Sequence, residues 1–295
     1  MLPACRTIVL RRTSKTMQMA VEKADAVVQV RDGNPFFNAQ GLVEKLNGLS
    51  MWCKVTVLRL KDCCVWRHGA GRLGEAIAAS FLSASLVELD LEGNGIEDSG
   101  GRALAKTLRL NTTLTSLNLN ANRLGEGSGR SLAETLRLNT TITSLYLSGN
   151  GLGEGGGRAL AKTLLLNTTL TSLALCGNYV GERAGRALAR TLVVNTTLTS
   201  LKLSGNKLGK GGGRALAAAL GFNTTLKSLD LATNHLGKGG GLWLARVLVV
   251  NSTLTSLNLS WNELGEAEKL TLCQSWGDRG GSLEVDKQVI LEYQP

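Results

Sequence analysis

Residues 114–141 read LTSLNLNANRLGEGSGRSLAETLRLNTT, and the same 28-residue pattern recurs down the chain. Asn94, Asn122, Asn150, Asn178, Asn206, Asn234 and Asn262 mark it, each 28 residues after the last. A fixed period of this length means stacked supersecondary units, each unable to bury its apolar face alone. Leu117 and Leu119 alternate as one face of a strand does. The RALAKTL segment instead has helical period. Leu104 and Leu108 share one face, and Arg102, Lys106 and Arg109 share another. Every unit therefore reads as a strand followed by a helix, repeated in parallel.

Parallel strands stack about 4.8 Å apart, whereas helices are about 10 Å wide. Such an array cannot stack straight. The expected fold is an α/β solenoid curved like a horseshoe, with parallel strands on the concave face and helices on the convex face. The seven asparagines fall where the strands end and backbone groups lose their sheet partners. An Asn amide offers donors and an acceptor together, so the column reads as a structural ladder.

A second asparagine opens NTTLTSLNL at Asn111 and its copies at Asn139, Asn167, Asn195, Asn223 and Asn251. Each copy matches the N-glycan acceptor pattern. The mechanical reading is a turn: Asn111 follows a helix ending at Leu110, where Asn tolerates a left-handed cap. The threonines then lead into the next strand. A turn needed once per repeat supplies a sequon once per repeat, and no secretory signal pattern precedes the array.

The chain of 295 residues carries +10 and is only 4% aromatic, so its core must be built of Leu and Ala. No apolar run approaches the roughly 18 residues of a membrane helix. Six cysteines at irregular spacing fit neither a disulfide framework nor a zinc site and read as reduced thiols. The expected compartment is cytoplasmic, although Arg6, Arg11, Arg12 and Lys15 also have the composition of an organelle transit segment. Three regions follow: 1–54 as a basic tail and N-terminal cap, 55–265 as about eight repeats, and 266–295 as a C-terminal cap. The cap expectations rest on VVQV near residue 28, FFNAQGLVEKL over 36–46, a helix over Glu266–Trp276 and SLEVDKQVILEY.

The LTSLNLNANRLGEGSGRSLAETLRLNTT units resemble leucine-rich repeats of the ribonuclease-inhibitor-like class. Similar arrays form the C-terminal part of NOD-like receptors and the body of Ran GTPase-activating proteins. The first resemblance implies a non-catalytic protein-binding scaffold. The second implies a regulator of a small GTPase, with Arg123 or Lys207 as candidates by position.

Convergent catalytic groups are not evident, and no catalytic, metal-binding or cofactor-binding residue is expected. His68 and His235 read as solvated turn residues without a carboxylate in register. Gly151, Gly153 and Gly156 match a dinucleotide glycine pattern, but sibling turns break it and no acidic residue ends the next strand. Between Leu86 and Gly265 stand 18 basic and 11 acidic residues. Arg102, Arg130, Arg158, Arg186 and Arg214 should form a row on the outer helices. That row fits an acidic partner or an anionic surface, and equally a solvated face copied by duplication. Interleaved aromatics for base stacking are missing from these helices, which argues against nucleic acid. On the strand face the serine-rich columns offer little purchase. Tyr146, Tyr179, Lys202, Asp230 and Trp261 are the expected partner-binding residues, because anchors favour aromatic and charged side chains.

Overall fold

The computed structural model describes residues 6–10, 25–30, 54–62, 85–277 and 281–286. The expected cap helix over 36–46, the first repeat's helix over 71–82, Arg11, Arg12, Lys15, Cys63, Cys64, His68 and the tail from 287 lie outside them. The chain divides into two compact units, Met1–Asn150 and Gly151–Pro295.

In the first unit β1 (Arg6–Leu10), β2 (Asp25–Val30), β3 (Lys54–Arg59), β4 (Glu88–Asp90), β5 (Ser116–Asn118) and β6 (Ser144–Tyr146) pair in chain order, all parallel. Helices α1 (Glu97–Leu108) and α2 (Gly125–Leu136) follow β4 and β5 and pack together. The second unit carries β7 (Ser172–Ala174), β8 (Ser200–Lys202), β9 (Ser228–Asp230), β10 (Ser256–Asn258) and β11 (Ser282–Glu284), also parallel in chain order. Its helices are α3 (Gly153–Leu164), α4 (Gly181–Val194), α5 (Gly209–Leu220), α6 (Gly240–Leu248) and α7 (Glu266–Trp276). The fold is an α/β solenoid of strand–helix units. β1 pairs with β2 within the basic leading stretch, so part of that stretch is sheet rather than tail.

Register follows from the period. Ser200, Leu201 and Lys202 lie opposite Ser228, Leu229 and Asp230, each 28 residues on. From β4 onward the strands are only three residues long, yet pairing runs past them: the Leu203 N–H donates to the Asp230 carbonyl at 2.8 Å. Leu201, Leu203, Leu208 and Leu216 are completely buried, so both strand leucines and two more from turn and helix meet in one core. Neighbouring helices can approach that core because α5 and α3 carry glycine at the contact. A Cβ on Gly213 would stand 2.6 Å from a methyl of Leu236, and one on Gly157 would stand 2.7 Å from Val180.

Two columns of asparagine join neighbouring repeats within each unit. Asn206 is fully buried. Its Nδ2 donates to the Leu175 carbonyl of the preceding repeat at 2.8 Å and to Leu203 of its own at 2.9 Å. Its Oδ1 accepts the N–H groups of Asn178 at 3.0 Å and Val180 at 3.3 Å. Asn122, Asn234 and Asn262 do the same in their own turns. The turn around each is tightly wound. Gly205 and Lys207 flank Asn206 at φ of 69° and 55°, both in the left-handed region.

The second column corrects the expected left-handed helix cap. Asn195 closes α4 with φ −76° and ψ 125°, which is extended backbone. Its amide rather than its backbone makes the turn. In the equivalent Asn223, Oδ1 accepts from Thr225 N–H at 3.1 Å and Leu226 N–H at 2.8 Å, while Nδ2 donates to Leu192 of the preceding repeat at 2.8 Å. Asn139, Asn195 and Asn251 repeat this with their own neighbours. Nδ2 is the atom a glycan would occupy, so sugar there would displace the bond to the preceding helix. Buried threonines add a third link: the Thr191 hydroxyl donates to the Ala161 carbonyl at 2.8 Å.

Removing one amide strands several buried backbone groups at once. Asn206→Ala should lower the unfolding free energy by about 1–3 kcal/mol, read from denaturant titration. An unchanged midpoint would show that the column does not hold the turns.

Candidate functional site

Lys202 and Asp230 end adjacent strands, directly opposite in register. Lys202 is exposed and Asp230 half-buried, its Oδ1 accepting the Ala232 N–H at 3.0 Å. Each follows a buried strand leucine, Leu201 and Leu229, so both lie on the face opposite the core, and no ion pair joins them among the described residues.

Tyr179 and Trp261 are not on strands. They stand in the turns beside Asn178 and Asn262 and project from the rim where the strands end, 61% and 74% exposed. Both have left-handed backbone, with φ of 57° and 60°. Sibling repeats put glycine at the same points, Gly151 for Tyr179 and Gly205 for Trp261. The left-handed region costs a residue with a Cβ about 1–2 kcal/mol, and bulky residues there are rare. The rim therefore holds aromatic rings where the backbone would prefer none.

The same rim carries residues outside the expected scaffold contacts, among them Lys207, a candidate only under the small-GTPase resemblance. Lys207 lies over the Tyr179 ring, its Nζ 5.1 Å from the centroid. His235 also corrects the sequence reading: its Nδ1 is 2.9 Å from Glu263 Oε1, one repeat further on. Thr233, Lys207, His235 and Glu263 all have positive φ. Their signal in the sequence is the loss of glycine on either side of the ladder asparagine.

Tyr146 belongs to the first unit, where it ends β6 opposite Asn118 and is half-buried. The strand face of that unit is charged and largely self-paired. Arg59 meets Glu88 at 2.9 Å and Lys61 meets Glu92 at 2.8 Å. The Lys61 hydrogen bond holds the Glu92 carboxyl below its ordinary range against the effect of burial, with help from Asn118. Burial pushes Asp90 up, only partly offset by the Glu92 N–H it accepts.

On the helix side the arginine row is mostly neutralised within its own helices. Arg102 pairs with Asp98 at 2.6 Å, Arg130 with Glu126, and Arg186 with Glu182 at 2.5 Å. The row is not free of aromatics, as the sequence reading held. Trp243 is exposed on α6 under the guanidinium of Arg214, 4.4 Å from the ring centroid. Among the described residues no cluster of His, Cys, Asp or Glu could hold a metal ion, and no helix is long and apolar enough to cross a membrane.

A leucine-rich-repeat family model matches six stretches, residues 83–105, 110–133, 138–161, 194–217, 222–245 and 250–266. The chain is a leucine-rich-repeat protein. Its strand–helix repeat is of the ribonuclease-inhibitor-like type. Among solved structures, this repeat protein is similar to the leucine-rich repeat-containing protein LegL7 from Legionella pneumophila. The two share 22% identity over 96% of this chain and 91% of that one, with a TM-score of 0.58. Weaker likenesses are to actin-binding site 2 of leiomodin-1 and to a Caenorhabditis elegans tropomodulin C-terminal domain. The first is 19% identical over 59% of this chain and 86% of that one, with a TM-score of 0.41. The second is 18% identical over 51% and 92%, with a TM-score of 0.44. No curated protein matches the sequence.

The rim geometry gives an expectation for the repeat protein itself. Tyr179→Gly removes left-handed strain of about 1–2 kcal/mol and an exposed cation–π contact of about 0.5–1 kcal/mol. Its unfolding free energy should rise by about 0.5–1 kcal/mol. A lower melting temperature would mean that the ring contributes to the fold.

Proposed function

We propose that the protein is a non-catalytic interaction scaffold. Its second unit docks a protein partner along the strand face and the rim at the strand ends. The supporting observation is the pair of exposed aromatics, Tyr179 and Trp261, held at left-handed positions where sibling repeats have glycine. Strain of this kind is retained where a function uses it. Aromatic anchors also supply most of the energy of typical interfaces. Lys202 and Asp230 add an outward-facing pair of opposite charge beside that rim, suited to fixing the register of a partner. Tyr146 is the corresponding anchor of the first unit and acts on its own.

A photo-crosslinking residue at Ser204 on the strand face should capture the partner, while one at Arg158 on the helix face should not. The recombinant partner is then titrated against the variant carrying Tyr179→Ala, Lys202→Ala, Asp230→Ala and Trp261→Ala. Affinity should fall about a hundredfold or more, as expected when two anchors are lost. Unchanged affinity in a folded variant would remove the strand face and rim as the docking surface.

A further inference from the structure

Helices α4, α5 and α6 form a cleft of about 680 Å³ on the helix side of the second unit. Its floor is α5, where Ala215, Ala218 and Ala219 face the opening. Phe222 and Trp243 stand at its margins, 73% and 38% exposed. Five cations line it and no carboxylate does. Arg186 is satisfied by Glu182. Arg190, Lys210, Arg214 and Lys238 have no carboxylate at ion-pair distance among the described residues.

The cleft exists because these repeats depart from their siblings. The residue after the turn glycine is Glu126, Glu154 and Glu182 in three consecutive repeats, then Lys210 and Lys238 in the next two. Where siblings have the long side chains of Lys162 and Arg190, α5 has Ala218; where they have Thr163 and Thr191, it has Ala219. Trp243 takes the place of Ala159, Ala187 and Ala215. Those changes coincide in space. Charge reversal at 210 also deprives Arg214 of the partner one turn back that Arg186 has in Glu182, and Arg214 turns onto Trp243 instead. Lysine in the first turn of α5 opposes the helix dipole, so the fold gains nothing from it. Short side chains opening a floor, two reversed charges and a new ring thus meet in one cleft.

We infer that this cleft binds an acidic peptide segment of a protein partner. An aromatic or aliphatic side chain would enter over the alanine floor, with Asp or Glu residues on either side reaching Lys210, Lys238, Arg190 and Arg214. The volume lies within the usual range for a ligand site, and an apolar centre between cationic walls matches an amphipathic segment laid into a groove. A bilayer would place its charge outermost and its apolar part beyond reach of a recessed floor. Nucleic acid would need successive bare rings to stack its bases on, whereas Trp243 is already covered by Arg214 and lies 5.4 Å from Arg246, which leaves Phe222 alone of the two cleft rings. The cleft is separate from the strand-face surface and stands or falls independently of it.

The test uses the full chain and a fluorescein-labelled peptide of Asp and Glu around a central Phe-Leu pair, read by anisotropy and Trp fluorescence. Two variants restore sibling residues and should fold: Ala218→Arg fills the floor, and Lys210→Glu with Lys238→Glu restores the carboxylates. Saturable binding is expected, weakened about tenfold or more by each variant, lost when the Phe-Leu pair becomes Ala-Ala, and unaffected by Tyr179→Ala with Trp261→Ala. Equal affinity of the folded Ala218→Arg variant, or no saturable binding by the parent chain, would overturn the inference. So would tighter, variant-sensitive binding to phosphatidylserine vesicles or to single-stranded DNA than to the peptide.

Discussion

Everything in the molecule depends on buried side-chain amides that bond to two repeats at once. A strand of three residues cannot satisfy the backbone of the turn that follows it. The Asn206 amide does so, accepting two N–H groups from the preceding turn and donating to carbonyls on both sides. Asn223 performs the complementary task at the other end of the unit, where the helix returns to the next strand. The leucines contribute the apolar driving force, but they are interchangeable among repeats. The two asparagine columns fix how one repeat sits on the next.

That constraint explains the distribution of strain. A turn wound tightly enough to surround a buried asparagine needs left-handed backbone on both sides of it. Glycine meets the need at Gly149 and Gly151 without cost. Tyr179, Lys207, Thr233, His235, Trp261 and Glu263 occupy the same conformation with side chains that disfavour it. Ala121 and Arg123 do so beside Asn122 in the first unit, and the other six stand on the rim of the second. The helix side shows the same logic in another form. Arg102, Arg130 and Arg186 are each matched to a carboxylate one turn back, whereas Arg190 and Arg214, which have none, line the cleft over α5.

Period and patterning made much of this legible. The 28-residue spacing located the strands near Leu117 and Leu201, and the helical period of RALAKTL located the helices. The polar faces were legible as compositions only. Sequence placed Tyr179 and Trp261 beside the ladder asparagine but carried no statement of φ, so the strain became visible only with the backbone. The second asparagine was read as a left-handed cap because that is a common use of Asn after a helix; its side-chain bonds depend on a carbonyl 31 residues earlier. His235 and Glu263 lie one period apart, and only stacking brings them within 2.9 Å. The cleft is illegible in the sequence for a different reason. A search for recurring residues passes over Ala218 and Lys210, which matter because they break the recurrence.

Native-state hydrogen exchange by NMR measures the central claim most directly. The amides of Val180, Leu208, Leu226 and Leu254 lie in turns, yet each donates to a buried asparagine oxygen. If those oxygens hold the repeats together, these amides exchange as slowly as Leu201 and Leu229 in the strands, and only through cooperative opening. Fast exchange insensitive to denaturant at these four positions, beside protected strands, would contradict the account.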